Sequence, residues 1–155
     1  MVKKVAITGM GIISSIGNSV EENFEALIQS KTGISRLENF ETKHVSEIKV
    51  GEIKLTNQQL IEDLKLPKNN TFTRTALLGA FAAKQAVLNA NITQINEFKT
   101  GLISSTSVGG MDFTEKHFNE YLTDDSLEPF ITSHDAGDSS NKIAEYLGLI
   151  GYVST

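Results

Sequence analysis

Residues 5–34 read VAITGMGIISSIGNSVEENFEALIQSKTGI, and the fold turns on what the glycines of this stretch are for. Val5 and Ile7 lie two apart in a short β-prone run that stops at Gly9, which predicts a strand around residues 3–8. Ser19 followed three residues later by Glu22 has the form of a capping box. Val20, Phe24, Leu27 and Ile28 then recur on one helical face. The spacing predicts a helix over about residues 19–31, closed near Gly33.

Strand, glycine turn and helix also outline a dinucleotide site, in which Gly-x-Gly-x-x-Gly opens a helix directly so that the backbone meets the pyrophosphate at the helix N-terminus. Gly9 and Gly11 have the first spacing, but Ser14 stands in the third position and the next glycine is Gly17. The predicted helix begins only near Ser19. Glu38 and Glu41 fall in a polar stretch rather than at the end of a second strand, and no Gly-Lys-Ser or Gly-Lys-Thr occurs. A structural turn therefore outweighs a nucleotide cradle.

Outward from this stretch, residues 34–51 are irregular and polar and read as a loop excursion, with a short extended piece near Ile48 to Ile53. Thr56 with Gln59 repeats the capping-box form ahead of Leu60, Ile61 and Leu64, predicting a short helix that ends before Pro67. In TRTALLGAFAAKQAVLNANI, residues 73–92, the apolar positions leave almost no polar face except Lys84 and Gln85. That helix should be buried nearly all round. Residues 100–112, TGLISSTSVGGMD, give a strand through Leu102 and Ile103 and a serine- and glycine-rich turn. A helix over about 111–121, an irregular acidic stretch around Asp124, Asp125 and Glu128, a helix over about 139–147 ending at Gly148, and a β-prone run in GYVST complete the pattern. The alternation predicts α/β with a largely buried sheet.

The 155 residues suit one domain with a real core. A formal net charge of −5 argues against nucleic acid or an anionic membrane as partner, since either selects a basic face. With no cysteine, these residues hold no disulfide framework, thiolate metal site or thiol nucleophile. Val2, Lys3 and Lys4 run straight into the strand pattern, with no long apolar leader and no membrane-length run, so the expected location is the cytoplasm.

Three separated segments carry a family resemblance. The opening stretch, with Thr8, Gly9, Gly11, Ser14, Gly17, Asn18 and the variant Lys31-Thr32-Gly33-Ile34, closely resembles the N-terminus of the β-ketoacyl-(acyl-carrier-protein) synthases, condensing enzymes of the thiolase-like fold. GLISSTSVGGM is similar to their strand and Gly-x-Gly-Gly turn, with Ser107 in place of the first glycine. EYLGLIGYVST is similar to the Gly-Leu-x-Gly-Pro segment ahead of the nucleophile. Tyr152 stands where proline is usual, and Gly137-Asp138 replaces a common Asn-Met pair, which leaves subfamily and substrate open. The resemblance implies an α/β fold, the N-terminal portion of a layered α-β-α thiolase-like domain with a mixed sheet and a buried central helix, spanning residues 1–155.

By resemblance, the activity is a decarboxylating Claisen condensation of malonyl-carrier-protein with an acyl-enzyme thioester, in fatty-acid or related polyketide or polyene synthesis. The resemblance calls for no cofactor and no metal. It places the nucleophilic cysteine about five positions beyond Thr155 and the two enolate-stabilising histidines outside these residues, so these residues alone should be inactive. It also implies that Val108 borders and gates the acyl pocket, and that Phe130 and Ile131 line it near the dimer interface. Partners by resemblance are acyl carrier protein and a second subunit, identical in a homodimer or different in a heterodimer. The alternative is a chain-length factor, a non-catalytic partner lacking the cysteine; a structural module without a site is a third reading.

The histidines offer no substitute chemistry. His44 falls in a polar loop, His117 on the exposed-looking side of a helix, and His134 in SHDAGDSS. Ser133, His134, Asp135 and Asp138 invite a hydrolase or metal reading, but triad members meet through the fold rather than by adjacency. A hydrogen-bonding loop before a helix is the better reading.

Overall fold

A computed structural model describes residues 4–40 and 42–155; Lys3, at the start of the expected strand, and Glu41 lie outside the described residues. Six helices and four short strands follow in the order α1 (Val20–Ile28), β1 (Ile34–Arg36), β2 (Lys49–Gly51), α2 (Asn57–Leu64), α3 (Arg74–Asn89), β3 (Gly101–Ile103), α4 (Met111–Tyr121), α5 (Glu128–Ile131), α6 (Ala136–Tyr146) and β4 (Tyr152–Ser154). β1 pairs antiparallel with β2, and β3 pairs parallel with β4, Leu102 opposite Val153. The sheet content is thus mixed, but the strands are open on one side: Ile103 is 82% and Tyr152 69% exposed, so the expected burial of the sheet is not seen.

α3 is the central element. No residue from Arg74 to Val87 is exposed, and Ala76, Leu77 and Ala80 are fully inaccessible. α2 supplies Leu60 and Leu64 to one side of it and α6 supplies Ile143 to the other. At Gly79 the Ile143 side chain of α6 packs directly on α3, where a Cβ would displace its Cδ1 methyl. Burying a leucine of this kind contributes about 2 kcal/mol. Two polar residues of α3 serve as clamps: Lys84 Nζ donates to the Asp63 carbonyl at 2.7 Å, and Gln85 Nε2 to the Asn18 carbonyl at 2.7 Å.

The capping box of α2 forms in full. Thr56 Oγ1 accepts from the Gln59 N–H at 3.2 Å while Gln59 Oε1 accepts from the Thr56 N–H at 2.8 Å. Thr56→Ala removes one half of it, and the midpoint of urea unfolding should fall by the equivalent of about 1 kcal/mol. In α1 only half of the expected box forms, because Ser19 Oγ accepts from the Glu22 N–H but the Glu22 carboxylate reaches back to the Asn18 N–H at 2.6 Å.

Four helices end in the same way, and glycine accounts for one of them. Ser30, Lys65, Asn91 and Gly148 take left-handed φ values of 52°, 57°, 56° and 66°. The next N–H in each case closes on a carbonyl five residues back: Lys31 on Ala26, Leu66 on Ile61, Ile92 on Val87 and Leu149 on Ala144. α1 therefore stops at Ser30, before the predicted closure at Gly33. The acidic stretch expected to be irregular holds a 3₁₀ turn (Asp125–Leu127) and α5. Asp124 caps that turn, and its hydrogen bonds from Ser126 hold its carboxyl below the usual range.

The predicted first strand is a second correction. Residues 4–13 pair with no other strand among the described residues, and Val5 and Ile7 are 94% and 85% exposed. Side chains of α3 stand in for a neighbouring strand. The Met10 N–H donates to Asn89 Oδ1 at 3.0 Å and the Ile12 N–H to Gln85 Oε1 at 3.4 Å.

Candidate functional site

The opening glycines are packing residues. A Cβ on Gly9 would overlap the Ala86 carbonyl and the Ala90 side chain, and one on Gly11 the Ala82 carbonyl and the Ala86 nitrogen. The chain lies directly on the small-residue face of α3, and the cleft of about 590 Å³ beside it is walled by apolar side chains such as Met10, Ile12, Phe24 and Leu27, with no cation to meet a phosphate. The following turn closes on Asn23, a buried side chain the sequence reading did not single out. Its Nδ2 donates to the carbonyls of Gly17 at 2.9 Å and Ser19 at 2.7 Å, and its Oδ1 accepts from Ser14 Oγ. Ser14, Gly17 and Asn18 thus belong to one self-capped entry into α1.

A second glycine pair builds the candidate site. Gly110 N–H donates to the Ser133 carbonyl at 2.7 Å, and a Cβ at Gly109 would overlap the His134 carbonyl. This close contact presses the turn after β3 against the entry to α6 and the N-cap Thr73 of α3. Val108 is held just before the pair by Thr106, whose Oγ1 donates to the Val108 carbonyl at 2.6 Å and accepts from its N–H at 3.1 Å. Its side chain, 48% exposed, opens on a cleft of about 710 Å³ between this turn, the N-termini of α2 and α3, and the loop carrying Phe40.

Phe130 and Ile131 lie elsewhere. Neither lines that cleft; Phe130, on α5, packs against α4 with ring centroids 5.3 Å from Phe113 and 4.9 Å from His117. Of the three residues singled out from sequence, only Val108 therefore borders it. His117 is a correction as well: it turns inward against these rings, its side chain 18% exposed and its Nδ1 without a hydrogen-bond partner among the described residues. The 3.6-residue period puts it one turn from Phe113, so its inward position follows the aromatic, not the polar neighbours.

The SHDAGDSS residues point to separate tasks. Ser133 Oγ donates to the Phe130 carbonyl at 2.6 Å, His134 Nδ1 meets Thr114 Oγ1 at 3.2 Å, and Asp135 caps α6 through the Gly137 N–H at 2.7 Å. Asp138 pairs at 2.7 Å with Lys142, whose buried ammonium also donates to the Thr71 carbonyl. His44 pairs with Glu47 on the surface at 2.9 Å. No cluster of three or more metal-ligating side chains occurs among the described residues, and no helix there is long and apolar enough to cross a membrane.

Comparison with known proteins places this geometry. Residues 2–155 match the family model described as β-ketoacyl synthase, N-terminal domain. The chain is 28% identical over 122 residues to 3-oxoacyl-(acyl-carrier-protein) synthase 2 of Coxiella burnetii, covering 78% of this chain and 29% of that protein. It is 36% identical over 111 residues to 3-oxoacyl-(acyl-carrier-protein) synthase 1 of Buchnera aphidicola, covering 69% and 26%. Against the solved ishigamide ketosynthase/chain length factor, 96% of the chain superposes on 38% of that chain with a TM-score of 0.79 at 22% identity, a likeness of fold. The chain thus spans under a third of the length of these curated relatives. Matched by that model over residues 2–155, the chain belongs to the β-ketoacyl synthase N-terminal domain family.

Proposed function

We propose that the complete protein is a 3-oxoacyl-(acyl-carrier-protein) synthase. A cysteine thiolate takes an acyl group from a carrier thioester and expels the carrier thiol. Malonyl-carrier-protein then loses CO₂, and the carbanion so formed attacks the acyl-enzyme carbonyl, breaking the C–S bond and returning the thiolate. The observation that carries this reading is the match of residues 2–155 to the synthase N-terminal domain, on a chain whose Val108 borders an open cleft. In this reading Val108 gates the acyl chain, Phe130 and Ile131, which do not line the open cleft, join the acyl pocket near the dimer interface of the assembled protein, the partners are acyl carrier protein and a second subunit, and the setting is the cytoplasm. Residues 1–155 form the part of the domain ahead of the nucleophile turn. No cofactor is required.

The direct test is the residue about five positions after Thr155, where this reading requires a cysteine, followed by acyl loading of its thiol. Another residue there favours a chain-length factor, the second reading; the solved fold neighbour bears both names, so fold does not separate them. Val108→Phe should lower kcat/KM for the longest accepted acyl chain about tenfold while sparing short ones, checked by product chain length. An unchanged chain-length profile removes Val108 from the gate.

A further inference from the structure

We propose that Ser140 is a positioning residue for acyl transfer: its hydroxyl fixes the end of β4 at Thr155, and with it the course of the chain that leads on to the nucleophile. The proposal rests on the synthase reading above and deepens it. It concerns a side chain of α6 that neither the resembling motifs nor the cleft beside Val108 single out.

α6 carries two adjacent serines, both nearly inaccessible, that satisfy their hydroxyls in different ways. Ser139, 3% exposed, turns back on its own helix, its Oγ donating to the Ala136 carbonyl at 2.8 Å. That is an ordinary outlet for a serine inside a helix. Ser140, 1% exposed, reaches out of its helix instead: its Oγ and Thr155 Oγ1 share a hydrogen bond at 2.5 Å. Serine is a poorer helix former than alanine, and a buried hydroxyl destabilises unless it is bonded, so packing alone would be better served by alanine here. What the hydroxyl adds is the tie to the strand.

The two ends of that tie differ in rigidity. α6 is anchored by Ile143 against α3 at Gly79 and by the Lys142 ammonium on the Thr71 carbonyl. β4 pairs along one edge only among the described residues, in a three-residue parallel ladder with β3, and the Ser104 N–H closes that ladder on the Ser154 carbonyl at 2.9 Å. Thr155 comes next, and its side chain joins the strand's end to the helix. In the synthase reading the nucleophile stands about five residues further, about 17 Å of extended chain. A swing at Thr155 is carried forward to the thiolate, where a misplacement of about 1 Å can cost about a hundredfold in rate.

The experiment uses the complete protein. Loading of its thiol by octanoyl-pantetheine, which releases pantetheine, is followed by mass spectrometry, and its backbone by amide hydrogen exchange. Ser140→Ala and Thr155→Val each remove one hydroxyl, and valine keeps the shape of threonine. Each should speed exchange of the amides at residues 153–155 about fivefold, the weight of one net hydrogen bond, while those of α3 keep their rate. The kcat for loading should fall about tenfold with KM within about twofold, a split that a general loss of stability does not produce. The double variant should be no slower than the slower single, since both changes cut the same bond, and Thr155→Ser, which retains the hydroxyl, should keep about half or more of the parent kcat. Unchanged exchange at residues 153–155, an unchanged kcat, or losses that multiply in the double variant overturn the proposal. The two readings fail separately. Acyl loading indifferent to both hydroxyls sinks this inference alone. A parent protein that loads no acyl group sinks the synthase reading, and the exchange rates then decide by themselves whether Ser140 fixes the end of β4.

Discussion

Gly11→Val should prevent the domain from reaching its native state at ordinary temperature. A β-carbon at this position lands on the Ala82 carbonyl and within 2.7 Å of the Ala86 nitrogen, and both are backbone atoms of α3 that no rotamer change can move aside. The segment must lift off the helix, breaking the Met10 and Ile12 bonds to Asn89 and Gln85 with it. Overpacking against backbone costs about 3 kcal/mol or more, a large share of the 5–15 kcal/mol that holds a domain together. Gly148→Ala is the informative comparison. Its φ of 66° penalises a side chain, but nothing lies within 4 Å of the new β-carbon, so the cost should be about 1 kcal/mol. Urea melts of the two variants beside the parent chain measure the difference. A phosphate-binding role for Gly11 would give the opposite result, an intact fold with an altered ligand site, and a native-like melt for Gly11→Val would refute the packing account.

The second large effect belongs to Lys142. Its ammonium, on a residue 8% exposed, meets Asp138 one helical turn earlier at 2.7 Å and the Thr71 carbonyl at 2.5 Å, pinning α6 to the segment that leads into α3. Lys142→Ala leaves a carboxylate and a carbonyl facing the void, and the loss should approach 3 kcal/mol, the lower end for broken buried pairs because Asp138 keeps 24% of its side chain in water. Lys142→Met with Asp138→Leu removes both charges and should recover more than half of that loss. Equal instability of the single and double variants would mean that the ammonium contributes through packing of its stem and not through the pair.

The legible parts of the chain were those where side-chain pattern and backbone need coincide. Thr56 and Gln59 announce a helix because the box itself is the mechanism. Met111 to Tyr121 was read to the residue. α6 begins three residues before the predicted start, because Asp135 caps it and glycine and aspartate in its first turn mask the helix. Ser30 and Asn91 end helices in a conformation whose usual sequence sign is glycine, so their stops were hidden, whereas the stop at Lys65 was legible from Pro67 two residues on. β1 is three residues long with a polar centre, too short to show a period. At the site, Val108 was singled out as the residue before the paired glycines and borders the cleft, whereas Phe130 and Ile131, named with it, do not. His117 was misplaced because polarity suggested the outside, whereas the rings of Phe113 and Phe130 drew it in.

The seating of residues 9–12 on α3 sets an order of assembly. The surface they occupy, the carbonyls and methyl groups of Ala82, Ala86 and Ala90, belongs to one helix and exists as soon as that helix winds. The segment has no partner strand among the described residues, and its amide contacts span 73 and 79 positions. Loop closure over such distances precedes any return from the contacts themselves. During synthesis residues 9–12 therefore wait through the whole of α1 and α2 for α3 to wind and make their seat.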